Sequence, residues 1–565
     1  MTRRDLLAYL PGATLLLFLT PVAAGLIGTW LPAFGYFPTL GGHNFTLDPW
    51  VMLFDHPGLG ESLRLTLVSG LLATVISFSL TVFFLAACHG GRITLAIRGL
   101  MAPLLAVPHA AMALGLAFLI APSGWFVRLV SPWATGWDLP PDVATVQDPN
   151  ALALTLGLVM KELPFLLLMT LAALEHSRAE ERLAIARSLG YGPVMAWLKT
   201  VLPAVYRRIR LPVYAVLAYS LSVVDMALIL APLSPPPLAV QVLRWFNDPD
   251  LAMRFVAAAG AVLQLLLVVG AIALWRLGEM LVARLGRLWI AGGRRGGKGR
   301  VLRAVTTSLV QLLVAMAAAG LLAMALWSVT RRWRYPDALP SVLSTDIWAR
   351  QGHDLLWITG TTLISGLAAA FIAVALVLGC LENEQRRGLT ISARALWLLY
   401  VPLLVPQVAF LFGSQVLSIQ IGIDGTWIAL VWSHLLFVLP YVFLSLADHY
   451  RALDERYSRT ALCLGASPNR VFWRVKLPML LRPVLFAAAV GFAVSVTQYL
   501  PTLFAGAGRF VTLTTEAVSL SAGGDRRVMG VFAFLQAALP LIAFAAALAL
   551  PRRLARTRIL REQRA

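Results

Sequence analysis

The sequence specifies an all-α integral membrane protein of about twelve spanning helices, built as a parallel repeat of two six-helix units. Composition, the spacing of apolar stretches and an internal duplication lead to that class. The chain has 565 residues, of which 59% are hydrophobic and 13% charged, and a mean hydropathy of +0.78. Soluble globular chains carry about 25% charged residues and 45–50% apolar ones. Intrinsic disorder shows the opposite bias, and a compact soluble enzyme could not hide this much apolar surface from water.

A spanning helix needs about 20 mostly apolar residues. Twelve such stretches occur, near 9–31, 65–87, 101–121, 152–174, 211–232, 255–275, 307–329, 355–380, 395–417, 426–447, 484–506 and 528–550. The formal net charge is +20. With both termini on the cytoplasmic side, 35 of the 47 Lys and Arg fall in inner segments. That asymmetry is the positive-inside rule, so the charge implies lipid-bilayer topology and no nucleic-acid partner. The loop 330–354 runs against it, placing Arg331, Arg332, Arg334 and Arg350 outside. Arg3 and Arg4 resemble a twin-arginine start, but the first apolar stretch is too long for a signal segment and eleven more follow. The outer loops 32–64 and 122–151 are too short for an inserted domain. Cys88, Cys380 and Cys463 match no disulfide or metal spacing.

The segment 276–303 is rich in Arg and Gly. It divides the chain into a first half (1–290), a basic flexible linker (291–303) and a second half (304–565). Six spans in each half put both in the same orientation. Leu183-Ala-Ile-Ala-Arg-Ser-Leu-Gly190 followed by Val201-Leu-Pro203 is matched by Ser458-Arg-Thr-Ala-Leu-Cys-Leu-Gly465 followed by Lys476-Leu-Pro478. Gly and Pro are thirteen residues apart in both copies, and the copies are offset by 275. Glu175-His-Ser-Arg-Ala179 echoes Asp448-His-Tyr-Arg-Ala452, and Val107-Pro108, Ala111 and Gly115 echo Val405-Pro406, Ala409 and Gly413.

The duplicated loops, 175–210 and 448–483, read as helix, glycine turn, helix. Gly465-Ala-Ser467-Pro468 supplies a helix stop, an N-cap serine and a proline at the first helical position; Gly190-Tyr-Gly192-Pro193 does similar work. Ala184, Ala186 and Ala461 line the first helix with small residues suited to close packing. The Leu-Pro pairs are expected to end the second helix. Each loop is thus a rigid knob able to pass force between a cytoplasmic partner and the spans. His176 and His449 sit at helix C-termini, where the dipole favours them.

These residues resemble the EAA loop of binding-protein-dependent ABC importer permeases, the MetI-like fold, and two copies in one chain resemble the fused permeases of thiamine-like and ferric-iron importers. Leu31-Pro-Ala-Phe-Gly-Tyr36, Leu243–Leu251 and Gln498-Tyr-Leu-Pro-Thr-Leu503 carry the same likeness. The resemblance implies a multi-pass inner-membrane subunit that is not an enzyme. It would receive a small solute from a periplasmic substrate-binding protein and be driven by two copies of a separate ABC ATPase. The coupling residues it implies are Ala184, Ala186, Gly190, Leu202 and Pro203, with Ala461, Gly465, Leu477 and Pro478. The family's leading glutamate is absent: Ala184 and Arg459 stand in its place.

No chemistry of its own is encoded. Gly292-x4-Gly297-Lys298 approaches a phosphate-binding loop, but Gly299 replaces the Ser or Thr and no strand precedes it. No cofactor motif or catalytic Cys/His set occurs. Ionisable residues inside spans default to functional candidates: Lys161 and Glu162 beside Pro164, Asp225, His434, and Gln498-Tyr499 after Ser495. Spans 5 and 11 follow the knobs directly, which makes Ser222, Asp225, Thr497 and Gln498 the candidates for a translocation path. The alternative is a secondary transporter of the major-facilitator type, which also has six plus six spans. Cys88–Arg98 fits its charged loop poorly, and it gives no reason for the duplicated knob. An intramembrane enzyme would need clustered acids and histidines, and these are scattered.

Overall fold

The computed structural model describes residues 6–297, 299–389 and 393–562; Arg3, Arg4 and Lys298 lie outside the described residues. Ten main helices make up the first half: α1 (Leu10–Ala33), α2 (Leu59–Cys88), α3 (Arg92–Ala106), α4 (His109–Ile120), α5 (Leu152–Glu175), α6 (Ala179–Ser188), α7 (Leu202–Ser222), α8 (Asp225–Leu230), α9 (Leu238–Phe246) and α10 (Met253–Ala291). Ten more repeat them: α11 (Arg300–Ser328), α12 (Gly352–Arg387), α13 (Ala393–Leu404), α14 (Leu411–Gln420), α15 (Trp427–Arg451), α16 (Glu455–Cys463), α17 (Leu481–Val496), α18 (Leu500–Gly506), α19 (Leu513–Leu520) and α20 (Arg526–Glu562). A small hairpin, β1 (Thr330–Arg332) and β2 (Val342–Leu343), follows α11. Many apolar side chains on the long helices face outward, including Leu16, Leu274 and Phe371. Water would penalise that surface and lipid does not.

Nine helices among the described residues are long and apolar enough to cross a membrane, and the bent pair Pro468–Met479 and Leu481–Val496 raises this to ten. Four of the twelve apolar stretches are not single helices. The stretches 101–121, 211–232, 395–417 and 484–506 are each broken in two, as α3/α4, α7/α8, α13/α14 and α17/α18. Pro108 and Pro406 cause two of the breaks, because proline lacks the N–H and forces the residue before it out of the helix; Val107 is extended (φ −65°, ψ 129°). Hydropathy counts apolar residues and does not register such breaks.

A broken helix in a membrane exposes carbonyls that lipid cannot satisfy, and three of the four breaks are mended by a side chain. Lys161 on α5 donates to the Leu105 carbonyl at 2.8 Å and also to that of Val107, closing the end of α3. Gln264 on α10 donates to the Leu221 carbonyl (3.0 Å) at the end of α7. Gln536 on α20 does the same for α17 through one intermediary: it donates to the Thr514 hydroxyl (2.7 Å), which in turn donates to the Val496 carbonyl. Pro21 frees the Leu17 carbonyl inside α1, and the Trp432 indole N–H donates to it at 2.8 Å.

The first helix of each half lies against the other half. α1 packs on α14 and α11 on α4. Both crossings are glycine on glycine: a Cβ on Gly115 would sit 3.0 Å from the Gly320 carbonyl carbon, and one on Gly413 would sit 2.8 Å from that of Gly25. Small residues let helix backbones approach this closely in a bilayer.

A further repeat joins α2 to α12. Thr66-Leu-Val-Ser-Gly70 recurs as Thr362-Leu-Ile-Ser-Gly366. Each threonine hydroxyl accepts, at 2.9 Å, the N–H that opens a short helix, Leu238 of α9 and Leu513 of α19.

Candidate functional site: two loops and two broken helices

Each duplicated loop begins with a ten- or nine-residue helix, α6 or α16. Each helix closes in a left-handed glycine, Gly190 at φ +84° and Gly465 at φ +83°. The backbone bonds repeat as well. Gly190 donates to Arg187 and Tyr191 to Ala186; Gly465 donates to Leu462 and Ala466 to Ala461. This is the Schellman closure, which a side chain at the glycine would strain. Ser467 caps the next turn by accepting the Arg470 N–H at 3.3 Å. Gly192 has no side chain for this and instead donates its N–H to the Arg295 carbonyl at 2.8 Å.

A wide, π-type turn follows in both copies, Trp197–Val201 and Phe472–Lys476. It corrects the reading of the Leu-Pro pairs. Pro203 opens α7 rather than ending a helix, and the first copy stays helical from 193 to 222. The second breaks only at Leu480, two residues past Pro478, with a bend of 76°. The small-residue stripe is also corrected. Ala186 is buried, Ala461 half-buried and Ala184 exposed, so the close packing is made by Ala179, Leu183 and Ala186. Leu202 and Leu477 are half-buried, and Pro203 and Pro478 exposed.

The loops differ in their surroundings. Around the first, Val194, Ala196, Trp197 and Val201 join Phe84, Leu85 and Cys88 of α2 in one buried cluster. The segment 292–297, expected to be a free linker, lies on this loop: a Cβ on Gly192 would collide with the Gly297 carbonyl oxygen, and Gly296 packs on Met195. Lys199 is buried between the rings of Tyr191 and Trp289. His89, at the end of α2, is half-buried; burial pushes its pKa down, against the pull of Glu180 on α6. α16 buries no residue, and Leu464 is 82% exposed. Below it, Lys476 donates to Glu382 (2.7 Å) and Gln385 (2.8 Å) at the end of α12.

From the first loop, α7 leads to a break at Val223–Val224; from the second, α17 leads to one at Thr497–Tyr499. The four path candidates sit at these breaks. Ser222 and Thr497 return their hydroxyls to their own helices, to the Ala218 and Val494 carbonyls. Asp225 is buried at the start of α8 and accepts a 3.5 Å bond from Tyr219. Gln498 donates to the Val494 carbonyl, and its side-chain oxygen has no partner among the described residues. Around Asp225, Tyr219 stacks on His109 with ring centroids 4.6 Å apart, and His109 lies 3.9 Å from Glu162. Lys161 belongs to the break in span 3. His434 bridges Ser495 (2.7 Å) and Thr502 (2.9 Å), one on each side of the break in span 11. Gln264, Gln536, Thr66 and Thr362 were not singled out from the sequence. The repeat that flags the two threonines is present there, four residues and a glycine long.

Residues 372–559 match the family described as "Binding-protein-dependent transport system inner membrane component". Over 512 residues the chain is 33% identical to the inner membrane ABC transporter permease protein YnjC of Escherichia coli (strain K12), a match covering 90% of this chain and 91% of that protein. It is 35% identical over 164 residues to the molybdenum transport system permease protein ModB of Mycobacterium tuberculosis (strain ATCC 25618 / H37Rv), covering 26% of this chain and 61% of that one. It is 25% identical over 124 residues to the spermidine/putrescine transport system permease protein PotC of Escherichia coli (strain K12), covering 22% and 47%. Nothing in these likenesses supports the major-facilitator alternative.

Proposed function

The chain belongs to the ABC transporter permeases as a fused, two-unit member, and from that premise we propose that it carries a small solute from a periplasmic binding protein to the cytoplasm. Two copies of a separate ATPase dock on the loops 175–210 and 448–483, which face the cytoplasm together with both termini. The halves are 1–290 and 304–565, joined by the linker 291–303. The observation that carries this reading is the duplicated run from loop to break. α7 has 21 residues and so reaches about 30 Å at 1.5 Å per residue, enough to carry a loop movement to the bilayer midplane. Discontinuous spanning helices are where transporters place their sites. Ser222, Asp225, Thr497 and Gln498 therefore line the path, and a movement of the loops opens it toward one side at a time.

The named relatives are described for molybdenum and for spermidine and putrescine, so family membership does not select a solute. The stretches at 31–36, 243–251 and 498–503 favour a thiamine-like or ferric-iron-type solute. The test is co-purification with the ATPase and binding protein followed by uptake of labelled thiamine or ferric chelate into proteoliposomes. ATP-dependent uptake that is lost in Gly465→Asp, along with ATPase retention, supports the reading. Retention and uptake unchanged in both Gly190→Asp and Gly465→Asp would refute it.

A further inference from the structure

The second loop is bound to α12 by a buried ionic cluster; the first loop meets α2, the matching helix, only through apolar side chains, and its own ionic tie runs to α10, where Glu279 accepts from Tyr206 (2.6 Å) and pairs with Arg210 (3.0 Å). Glu382, 3% exposed, stands near the end of α12 and accepts from three side chains: Lys476 of the π-type turn (2.7 Å), Arg386 one helical turn on (2.6 Å), and the Tyr450 hydroxyl of α15. Arg386 continues to Asn469 (3.1 Å), in the first turn after Ser467. Arg451 and Glu384 join α15 to α12 at 2.9 and 3.1 Å. Every charged group in the cluster thus connects α12 to the loop or to α15. At the 275-residue offset Lys476 is replaced by Val201, and at the offset of the threonine repeat Glu382 is replaced by Ala86. Both of those side chains are apolar and buried.

We infer that Glu382 is a positioning residue: it locks the second loop to α12 so that the two move as one body when the ATPase closes, whereas the first loop meets α2 on an apolar surface, along which it slides. The inference rests on the docking role proposed above. An apolar contact has no preferred register along its surface, because hydrophobic attraction is non-directional. A carboxylate bonded to an ammonium, a guanidinium and a phenol has one geometry. A buried ion pair is weak evidence for stability and better suited to fixing register, which is the role assigned here.

The test uses the complex of full-length protein and ATPase in nanodiscs, with Cys463→Ser removing the exposed native thiol. Spin labels at Leu464→Cys and Arg387→Cys report loop two against α12; labels at Leu464→Cys and Leu189→Cys report loop two against loop one. The variant is the double neutral pair Glu382→Gln with Lys476→Met, which removes the buried carboxylate and the buried ammonium together and leaves Arg386, at the edge of the cluster, its bond to Asn469. The expected result has three parts. The 464–387 distance is single and sharp with and without a non-hydrolysable ATP analogue, while 464–189 shifts with the analogue. In the double variant the 464–387 distance broadens or splits on adding the analogue, with the melting temperature near that of the parent. A sharp, nucleotide-independent 464–387 distance in the double variant overturns the positioning role, because the pair is then only structural. A 464–189 distance that ignores the analogue in the parent complex, with the ATPase failing to co-purify, overturns the docking reading and the inference with it.

Discussion

Residues 175–210 and 448–483 repeat one backbone, down to the left-handed glycine and the π-type turn, but their neighbours differ. The first is wedged between an apolar cluster under α2 and the inter-half segment. The second stands with α16 unburied and is fastened by charges at its base. Duplication has preserved the shape while the two attachments diverged. Shape is what a twofold pair of partners would read, and attachment is what each half does with the force it receives.

The largest effects expected separate the two attachments. Lys476→Met takes one of two cationic partners from the buried Glu382 and costs about 1–3 kcal/mol, whereas Arg474→Met, exposed two residues away, changes stability by less than about 0.5 kcal/mol. In the first loop the vulnerable group is apolar: Trp197→Ala opens a cavity and costs about 3–5 kcal/mol. Thermal melting in detergent ranks the three, and equal losses at Arg474 and Lys476 would remove the ionic attachment from the account. At the next level the copies should agree. Gly190→Ala and Gly465→Ala each force a left-handed alanine and lose about 1–2 kcal/mol; a large difference between them would show that the two turns are not equivalent. Smallest are the turns that follow. Ser467→Ala removes an N-cap worth about 1 kcal/mol and leaves the inter-half segment alone. Gly192→Ala pushes a methyl into the Gly297 carbonyl, and limited trypsin digestion should cut at Arg294 and Arg295 faster than in the parent. Unchanged digestion would mean that the segment is not seated on the first loop.

The fold class, the parallel repeat and the loop positions were legible because each is written as local pattern: apolar length, Lys and Arg placement, and a constant offset. Interruptions inside spans were not, since Val223–Val224 and Thr497–Tyr499 are surrounded by residues as apolar as any span. The Leu-Pro pairs misled because a wide turn accommodates Pro203 and Pro478 without ending the helix. Lys161 drew attention as a charge in a span, but its three carbonyl partners lie more than 50 residues away. Glu382 and Lys476, 94 residues apart, became a pair only when α12 and the second loop were brought together. Gln264 and Gln536 looked like isolated amides until the carbonyls at the two breaks were located.

The central claim, that both loops receive a partner, is tested most directly by hydrogen–deuterium exchange on the purified protein with and without its ATPase. Slowed exchange is predicted in both 179–192 and 455–467, with little change on the segments at the opposite ends of the spans, such as 122–151. Protection of neither loop, with the ATPase bound elsewhere, would contradict the account.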